Sequence, residues 1–419
     1  MGATVRPREA VGNGLLNPLA VVGTIFLAQF VIWFLLMPDQ PTIPAAAPRY
    51  ASAEAALRYV VYLASFLGAI VLGSALPRTL GLRRAVTAAV DDGQLRALDR
   101  IAIVSLLLSL VGELVYTWAI LRNPHLIIEA SMAGDLASAG GMIQAGVMPG
   151  VTTMVNLFTV PTAIYSAFAF HRAVSGARRR TARRMLVAIG VVAVLHGIAL
   201  SARMYVVWYA ATVLGGYLLF ADRRRIRRGA IAAMIAGVAA LVWLGATLRD
   251  GGRYAYANGV GLFAPETQRR VYDVMVQGYL AAEFNNAMIT FGCEPTMDVV
   301  GTSMFRAASF LGLPGGRFTR CAESSEFGTQ NSMSLWWQDL GWFGIIYAVS
   351  CGLWIGAAYV VARRHARSLG AATFFYLVSY PGLVSLLRVN FFGLAPFLYP
   401  VAFLFVALSF HRAVGRPLR

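Results

Sequence analysis

The sequence predicts an all-α, polytopic integral membrane protein with about ten transmembrane helices and one large outer loop before the last three. Two observations lead to this fold class. Hydrophobic residues make up 58% of the chain, charged residues only 13%, and the mean hydropathy is +0.64, outside the usual range of a soluble globular domain. Apolar stretches of about 20 residues, long enough to cross the hydrocarbon core of a bilayer, also recur along the chain.

Ten transmembrane helices are predicted in these stretches. The apolar run from Met185 to Phe220 is too long for one helix and Arg203 interrupts it, so we expect two helices with Arg203 at the outer tip between them. The predicted helices are 18–37, 57–76, 101–121, 150–171, 185–200, 204–220, 229–248, 341–362, 369–387 and 391–410.

Arginine placement predicts the orientation. The chain has no lysine, and 24 of its 36 arginines, with only five acidic residues, fall in segments that the alternating helices place on one side. Because basic residues concentrate in cytoplasmic loops, both termini are predicted to be cytoplasmic. This distribution explains the formal net charge of +17 without a nucleic-acid partner. The chain is then seven N-terminal helices (1–248), a large periplasmic or extracellular loop (249–340), and three C-terminal helices with a cytoplasmic tail (341–419).

Polar residues occur at a common depth in the outer half of the predicted helices. Glu113 lies past the midplane of the third helix, His196 lies about two turns below the outer end of the fifth, and Asn156 is near the outer start of the fourth. Ionisable groups inside a membrane are candidates for function, so we expect a polar cavity that opens outward. The alternative is that Glu113 pairs with an arginine for structure and His196 is a packing residue.

The large outer loop begins with a stretch, 249–259, that is rich in glycine and predicts turns. Residues 265–288 have the spacing of an amphipathic helix that lies on the membrane surface. Polar groups along this helix are candidate contacts for an anionic head group or sugar hydroxyls, and a solvated face near lipid phosphate is the alternative. These candidates are Arg269, Arg270, Tyr279, Asn285 and Asn286.

Residues 330–340 are predicted to be the helical start of the eighth transmembrane helix. On a helix Asn331, Ser334 and Gln338 share one face, with Asp339 on an adjoining one. Neutral hydrogen-bonding groups beside tryptophan rings suit a sugar, which offers hydroxyls and apolar C–H faces. The alternative is an interfacial belt of Trp336, Trp337 and Trp342 with polar capping groups.

The cysteines predict one disulfide bond. Cys293 and Cys321 both lie in the large loop, whose compartment is oxidising, whereas the third cysteine, Cys351, lies in the eighth predicted helix. The sequence has no clustered His, Cys and Asp motif for a metal, and no cofactor is predicted.

Four stretches give the chain a resemblance to the O-antigen polymerase family, the oligosaccharide repeat-unit polymerases. They are "PGVTTMVNL" (149–157), "SARMYVVWYAATVLGGYLLF" (201–220), "YLAAEFNNA" (279–287) and "TQNSMSLWWQDLGWFGIIY" (329–347). The predicted topology, with a large outer loop before the last three helices, is similar to that family. The chain departs from it in Asn331-Ser332-Met333-Ser334, where members often have Asn-Thr-x-Thr, and in Asp339-Leu340-Gly341, where Asp-Phe-Gly is commoner.

This resemblance implies an enzyme of the bacterial inner membrane that transfers a glycan from undecaprenyl diphosphate to the next lipid-linked repeat unit. It implies membrane lipid as its surroundings and a chain-length regulator as a further partner. By the same resemblance, outer arginines that bind the diphosphate correspond to Arg203 and Arg388.

The chemistry of such a transfer supports the same assignment of roles. A departing diphosphate needs cationic donors, which arginine supplies, and the acceptor hydroxyl needs a base. Asp339 and Glu326 are the predicted catalytic carboxylates, and Glu323 and Asp273 are further candidates. Two other functions remain open: a glycan ligase of the same architecture, and a lipid-linked sugar transporter or flippase.

Overall fold

The fold is described from a computed structural model that covers residues 14–36, 50, 52–79, 90–122, 125, 152–199, 204–221, 228–295, 332–386 and 395–413. Within these ranges 91% of residues are helical and there is no strand, which confirms the all-α prediction for this part of the chain. The helices of the N-terminal part are α1 Pro18–Leu36, α2 Ala53–Thr79, α3 Asp92–Arg122, α4 Thr159–Phe170, α5 Gly176–Ala199, α6 Met204–Phe220 and α7 Arg228–Ala246. Those that follow are α8 Gly252–Asn258, α9 Pro265–Asp273, α10 Ala282–Phe291, α11 Ser332–Leu340, α12 Gly344–His365, α13 Ala371–Ser385 and α14 Ala395–Ala413.

Four helical segments of the described chain are long and apolar enough to cross a membrane: Pro18–Leu36, Ala53–Pro77, Arg228–Ala246 and Ser332–Ser368. Shorter apolar helices cover Met154–Phe170, Met204–Phe220, Ala371–Ser385 and Phe397–Phe410. Exposed apolar residues support the same conclusion, because Val187, Val191 and Leu195 form an outward stripe on α5 at a spacing of four residues. The protein is therefore an all-α protein with the helices of a membrane protein, while the count of ten crossings stays a prediction.

The closest helix packing joins α2 and α12 through glycine. A Cβ atom placed on Gly356 would lie 2.2 Å from the Ile70 carbonyl oxygen, and one on Gly73 would lie 2.3 Å from the Leu353 carbonyl oxygen. Gly352 and Gly356 are four residues apart on α12, the spacing that lets two membrane helices approach backbone to backbone. This contact fixes α2 against α12.

The segment 249–259 is helical, so the prediction of turns there was wrong. The chain continues from α7 through a π-helical turn, Thr247–Gly251, directly into α8. A Cβ on Gly251 would lie 2.9 Å from the Val271 side chain, so this glycine allows α9 to pack closely. The glycines of this stretch serve packing, and the first left-handed residue comes only at Gly259, after α8.

The segment 265–288 is helical as predicted, but only its first part has an exposed polar face. In α9 Glu266 and Arg269 are exposed, whereas α10 is almost entirely buried among α1, α2 and α11. A π-helical stretch, Val274–Ala281, joins the two and packs on α1. The prediction of a helix lying on the membrane surface is therefore wrong for α10, and the described part of the region 249–340 packs against the N-terminal helices.

The stretch 332–340 is helical, but it is not continuous with the eighth predicted transmembrane helix. Gly341 has a left-handed backbone with φ of 49°, and a short 3₁₀ turn, Gly341–Phe343, separates α11 from α12. The Tyr62 hydroxyl of α2 donates a hydrogen bond to the Gly341 carbonyl oxygen. The left-handed glycine therefore ends α11 before α12 begins, and α11 packs against α10.

Candidate functional site

Buried polar side chains from several helices meet near the C-terminal end of α5 and the N-terminal end of α6, beside α3. The Nδ1 atom of His196 lies 2.8 Å from the Oε2 atom of Glu113, and the ring of Tyr205 lies 4.1 Å from the His196 ring, centre to centre. The Tyr205 hydroxyl donates a hydrogen bond of 3.0 Å to Oδ1 of Asn156, in the 3₁₀ turn Thr152–Phe158 before α4. We refer to Glu113, His196, Tyr205 and Asn156 as the outer polar cluster, because the predicted topology places these helix ends on the outer side.

The sequence predicted the depth of this cluster but not its pairing. The His196 side chain is 3% exposed and that of Glu113 is 17% exposed, so the two groups face each other inside the protein. Placing an ionisable group among apolar helices is costly unless it has a partner, and each of these groups supplies one to the other. Among the described residues, the partner of Glu113 is therefore His196.

Two hydrogen bonds connect this cluster with the helix that carries the predicted sugar-binding residues. Trp208, three residues after Tyr205 on α6, donates from Nε1 to the Ser385 hydroxyl at 3.3 Å. The next residue, Leu386, accepts a bond of 3.0 Å at its carbonyl oxygen from the Ser332 backbone N–H, at the start of α11. The end of α13 therefore brings the outer polar cluster and α11 together.

A small apolar cleft lies beside the outer polar cluster, between α5, α6 and α7. Its lining includes Val194 and Gly197, which flank His196 in sequence, and Val206, which follows Tyr205. All seven lining residues are valine, leucine or glycine. In the described region, the expected polar cavity is thus a packed polar cluster with an apolar cleft next to it.

Asn285 of α10 is a buried side chain that links α10 to α1 and to Tyr50 through hydrogen bonds. Its side chain is 0% exposed, and its Oδ1 atom accepts hydrogen bonds from the Trp33 ring N–H at 3.2 Å and the Tyr50 backbone N–H at 2.7 Å. Asn286 is buried as well. Both side chains lie inside the helix packing rather than on a solvated face with Arg269, and a glycan would reach them only if this packing opened.

The predicted catalytic residue Asp339 is buried, as is its neighbour Gln338, each 4% exposed on α11. Trp336 and Trp337 are buried too, which rules out the interfacial belt for these two rings, whereas Trp342 is 52% exposed. Because this polar face of α11 is buried among other helices, it fits a binding site or a structural core better than a group of capping residues at a helix end. The catalytic role of Asp339 and the sugar-binding role of Gln338 stay predictions.

Arg58 of α2 holds the end of α10 against α11. Its guanidinium lies 4.6 Å from the centre of the Trp337 ring, and its Nη1 atom donates a hydrogen bond of 2.8 Å to the Phe291 carbonyl oxygen. Trp337 in turn donates from Nε1 to the Cys293 carbonyl oxygen at 3.0 Å. A cation at a helix C-terminus is favourable, so Arg58 stabilises the position of α10 and α11.

Glu283 is a buried carboxylate that the sequence interpretation did not include among the candidates. It is 2% exposed on α10, and its Oε2 atom accepts a hydrogen bond of 3.1 Å from Nε2 of Gln29 on α1. The sequence did contain a signal for this contact, because Gln29 lies well inside an apolar helix, where a buried amide requires a polar partner.

The other predicted residues divide into described and undescribed ones. Arg269 is exposed and Arg270 is half-buried on α9. The backbone of Tyr279 belongs to the π-helical stretch, but its side chain is outside the described part. Four further candidates lie outside the described residues: Arg203, Arg388, Glu326 and Asn331.

Cys293 is disulfide-bonded, and Cys351, half-buried in α12, is a free thiol. The predicted partner of Cys293, Cys321, lies outside the described residues. In the part of the chain that the structure describes, no group of three or more His, Cys, Asp or Glu residues is placed to hold a metal ion.

Comparisons with known proteins leave the family open. No protein-family model, no curated protein and no solved structure matches this chain.

Proposed function

We propose that this protein is a membrane glycosyltransferase that polymerises oligosaccharide repeat units carried on undecaprenyl diphosphate, at the outer leaflet of a bacterial inner membrane. The proposal includes ten transmembrane helices with both termini in the cytoplasm, membrane lipid as the surroundings, and a chain-length regulator as a partner. The observation that carries it is the convergence of buried polar groups and an apolar cleft at the outer ends of α5 and α6.

This combination suits an amphiphilic substrate. The apolar lining of the cleft offers contacts to a hydrocarbon chain, and the outer polar cluster beside it offers hydrogen-bonding groups at the predicted depth of a lipid head group. The predicted diphosphate-binding arginines are close to this region in sequence: Arg203 is two positions before Tyr205, and Arg388 is two positions after Leu386. Guanidinium groups there would bind the diphosphate as it departs.

The test uses the purified protein in lipid nanodiscs with an undecaprenyl-diphosphate-linked repeat unit and no nucleotide sugar. A polymerase produces a ladder of lipid-linked glycans that differ by one repeat. A ligase produces a product only when a different acceptor is added, and a flippase moves the substrate across a vesicle membrane without lengthening it. An unchanged substrate under conditions where the folded protein binds it would refute the polymerase proposal.

A further inference from the structure

The first three turns of α5 carry five arginines, and their surroundings divide them into two groups. Nη1 of Arg178 lies 3.5 Å from the Asp92 carboxylate of α3. Arg179 donates from Nη2 to three backbone carbonyl oxygens at 3.2 to 3.3 Å, in the turn between α4 and α5. These two side chains are therefore held by the protein itself. The others are exposed and form no ion pair with any residue that the structure describes: Arg180, Arg183 and Arg184.

Arg183 and Arg184 lie at the start of the outward apolar stripe of α5. With 3.6 residues per turn, Arg184 is in line with Val187 and Val191, and Arg183 flanks this line on its other side. Leu195 continues the stripe, and its three apolar residues are each more than half exposed. The opposite face of α5 packs against α4 and α6, and its buried residues are Ala182, Leu186, Ile189 and Ala193. Two unpaired cations and an uncovered apolar stripe therefore share one face of the described helix.

The length of this face matches one leaflet of a bilayer. From Arg184 to Leu195 the helix rises about 16 Å, close to half of the hydrocarbon core of about 30 Å. With the arginines at the level of lipid phosphate, an acyl chain would lie along the stripe. A guanidinium can bind a phosphate through two parallel N–H donors. A free phosphate ion would use only the arginines and leave the stripe uncovered, so charge and apolar length together select a phospholipid.

We propose that α5 carries a binding site for an anionic phospholipid, in the leaflet on the predicted cytoplasmic side. Arg183 and Arg184 bind its head group, and the stripe Val187, Val191 and Leu195 contacts its acyl chains. The sequence of α5 contains no acidic residue, so an anionic head group is favoured there over a zwitterionic one. This inference concerns the surroundings of the protein and does not rest on the proposed glycosyltransferase activity.

The helix α3 provides a matched comparison within the same protein. Arg96 and Arg100 are exposed at the same predicted side of the membrane, and they precede exposed apolar residues that include Leu107. Here, however, Asp92 and Asp99 lie in the same first turns, so the two arginines are accompanied by two carboxylates. Because a carboxylate repels a phosphate, we expect α3 to contact lipid without a preference for an anionic head group.

The test places a bimane fluorophore on each stripe, at Val191→Cys or Leu107→Cys in a Cys351→Ser protein. Vesicles of one fixed composition, phosphatidylcholine with a minor fraction of phosphatidylglycerol, carry brominated acyl chains either on the phosphatidylglycerol or on an equal amount of the phosphatidylcholine. Bromine quenches a neighbouring fluorophore, so the ratio of the two quenching values measures local enrichment of the anionic lipid. We expect a ratio above one at Val191, up to about fivefold for each arginine, and a ratio near one at Leu107.

Replacing both arginines, Arg183→Gln with Arg184→Gln, should bring the ratio at Val191 to about one, and high salt should lower it in the parent protein because salt screens the charges. The parent protein decides the matter where the double variant does not insert. Equal quenching by the two lipids at Val191, an equal preference at Leu107, or an unchanged ratio in the inserted double variant would overturn the inference. Absence of quenching at Val191 by either lipid would assign the stripe to a protein partner or a second copy, and would overturn it too.

Discussion

Replacing Gly356 with alanine should push α2 and α12 apart. The added Cβ would begin 2.2 Å from the Ile70 carbonyl oxygen and 2.8 Å from the Ser74 backbone nitrogen, and ordinary contact starts at 3.4 Å. The difference from 2.2 Å to 3.4 Å means that one backbone must move by about 1.2 Å. Overpacking of a close interface costs about 1–3 kcal/mol, and a clash with backbone has no flexible side chain to relieve it.

Gly237→Ala provides the matched control. Gly237 lies in α7 with no atom within 4 Å of an added Cβ, so this change should gain only the helix propensity of alanine, about 1 kcal/mol. The same propensity acts at Gly356, so the difference between the two variants isolates the clash and should be about 1–3 kcal/mol. The assay is unfolding by sodium dodecyl sulfate in mixed micelles, followed by tryptophan fluorescence. Equal stability of the two variants would refute the close approach of α2 and α12.

Three further predictions concern single side chains. Asn285→Leu removes the acceptor of a buried N–H donor, on Trp33, and of a part-buried one, on Tyr50, so the free energy of unfolding should fall by about 1–3 kcal/mol. Asn258→Ala, on the exposed end of α8, should change it by about 0.5 kcal/mol or less, and equal effects of the two variants in the micelle assay would contradict this. Burial lowers the pKa of His171 from its ordinary value of 6.5, so below that pH the unfolded chain binds a proton that the folded protein does not, and the folded protein loses stability as pH falls. His171→Gln should therefore lessen the fall in melting temperature between neutral and acidic buffer. An unchanged fall would contradict the assignment. Arg203→Lys keeps the charge but loses the planar pair of donors, so most polymer should disappear at matched membrane abundance, while the exposed Arg180→Lys should have no effect; near-normal polymer from Arg203→Lys would count against diphosphate binding.

The helices were predictable because their signal is local. A described helix lies in each of the ten predicted apolar stretches, including the two on either side of Arg203, which end at Ala199 and begin at Met204. An apolar run of sufficient length has few alternatives to a helix once water is excluded. The positions of these helices along the chain therefore follow from the apolar composition of each stretch.

The packing of the large loop was not predictable in the same way. The polar residues of 265–288 have the spacing of a surface helix, but α10 lies among other helices, where Asn285 and Glu283 find partners on α1 and at Tyr50. Those partners are more than 200 positions away in sequence. Helical periodicity shows which residues share a face, but it does not show which helix covers that face.

The candidate site shows both sides of this limit. The depth of Glu113 and His196 follows from counting residues along each helix, and the two residues do lie together. Their direct pairing depends on the rotation of α3 and α5, which apolar sequences of uniform character leave undetermined. The glycine-rich stretch 249–259 failed for a related reason, because Gly251 is required by the neighbouring Val271 rather than by a turn.

The central claim is that this protein joins one lipid-linked repeat to another, and the stoichiometry of the reaction tests it most directly. Two isotopically distinct samples of the undecaprenyl-diphosphate-linked repeat would be mixed with the wild-type protein in nanodiscs, and all lipid-linked species counted by mass spectrometry. The account predicts products that combine both isotopes on one lipid diphosphate, with one free undecaprenyl diphosphate released for every glycosidic bond formed. Release of lipid diphosphate without mixed products, or no released lipid diphosphate at all from protein that binds the substrate, would contradict it.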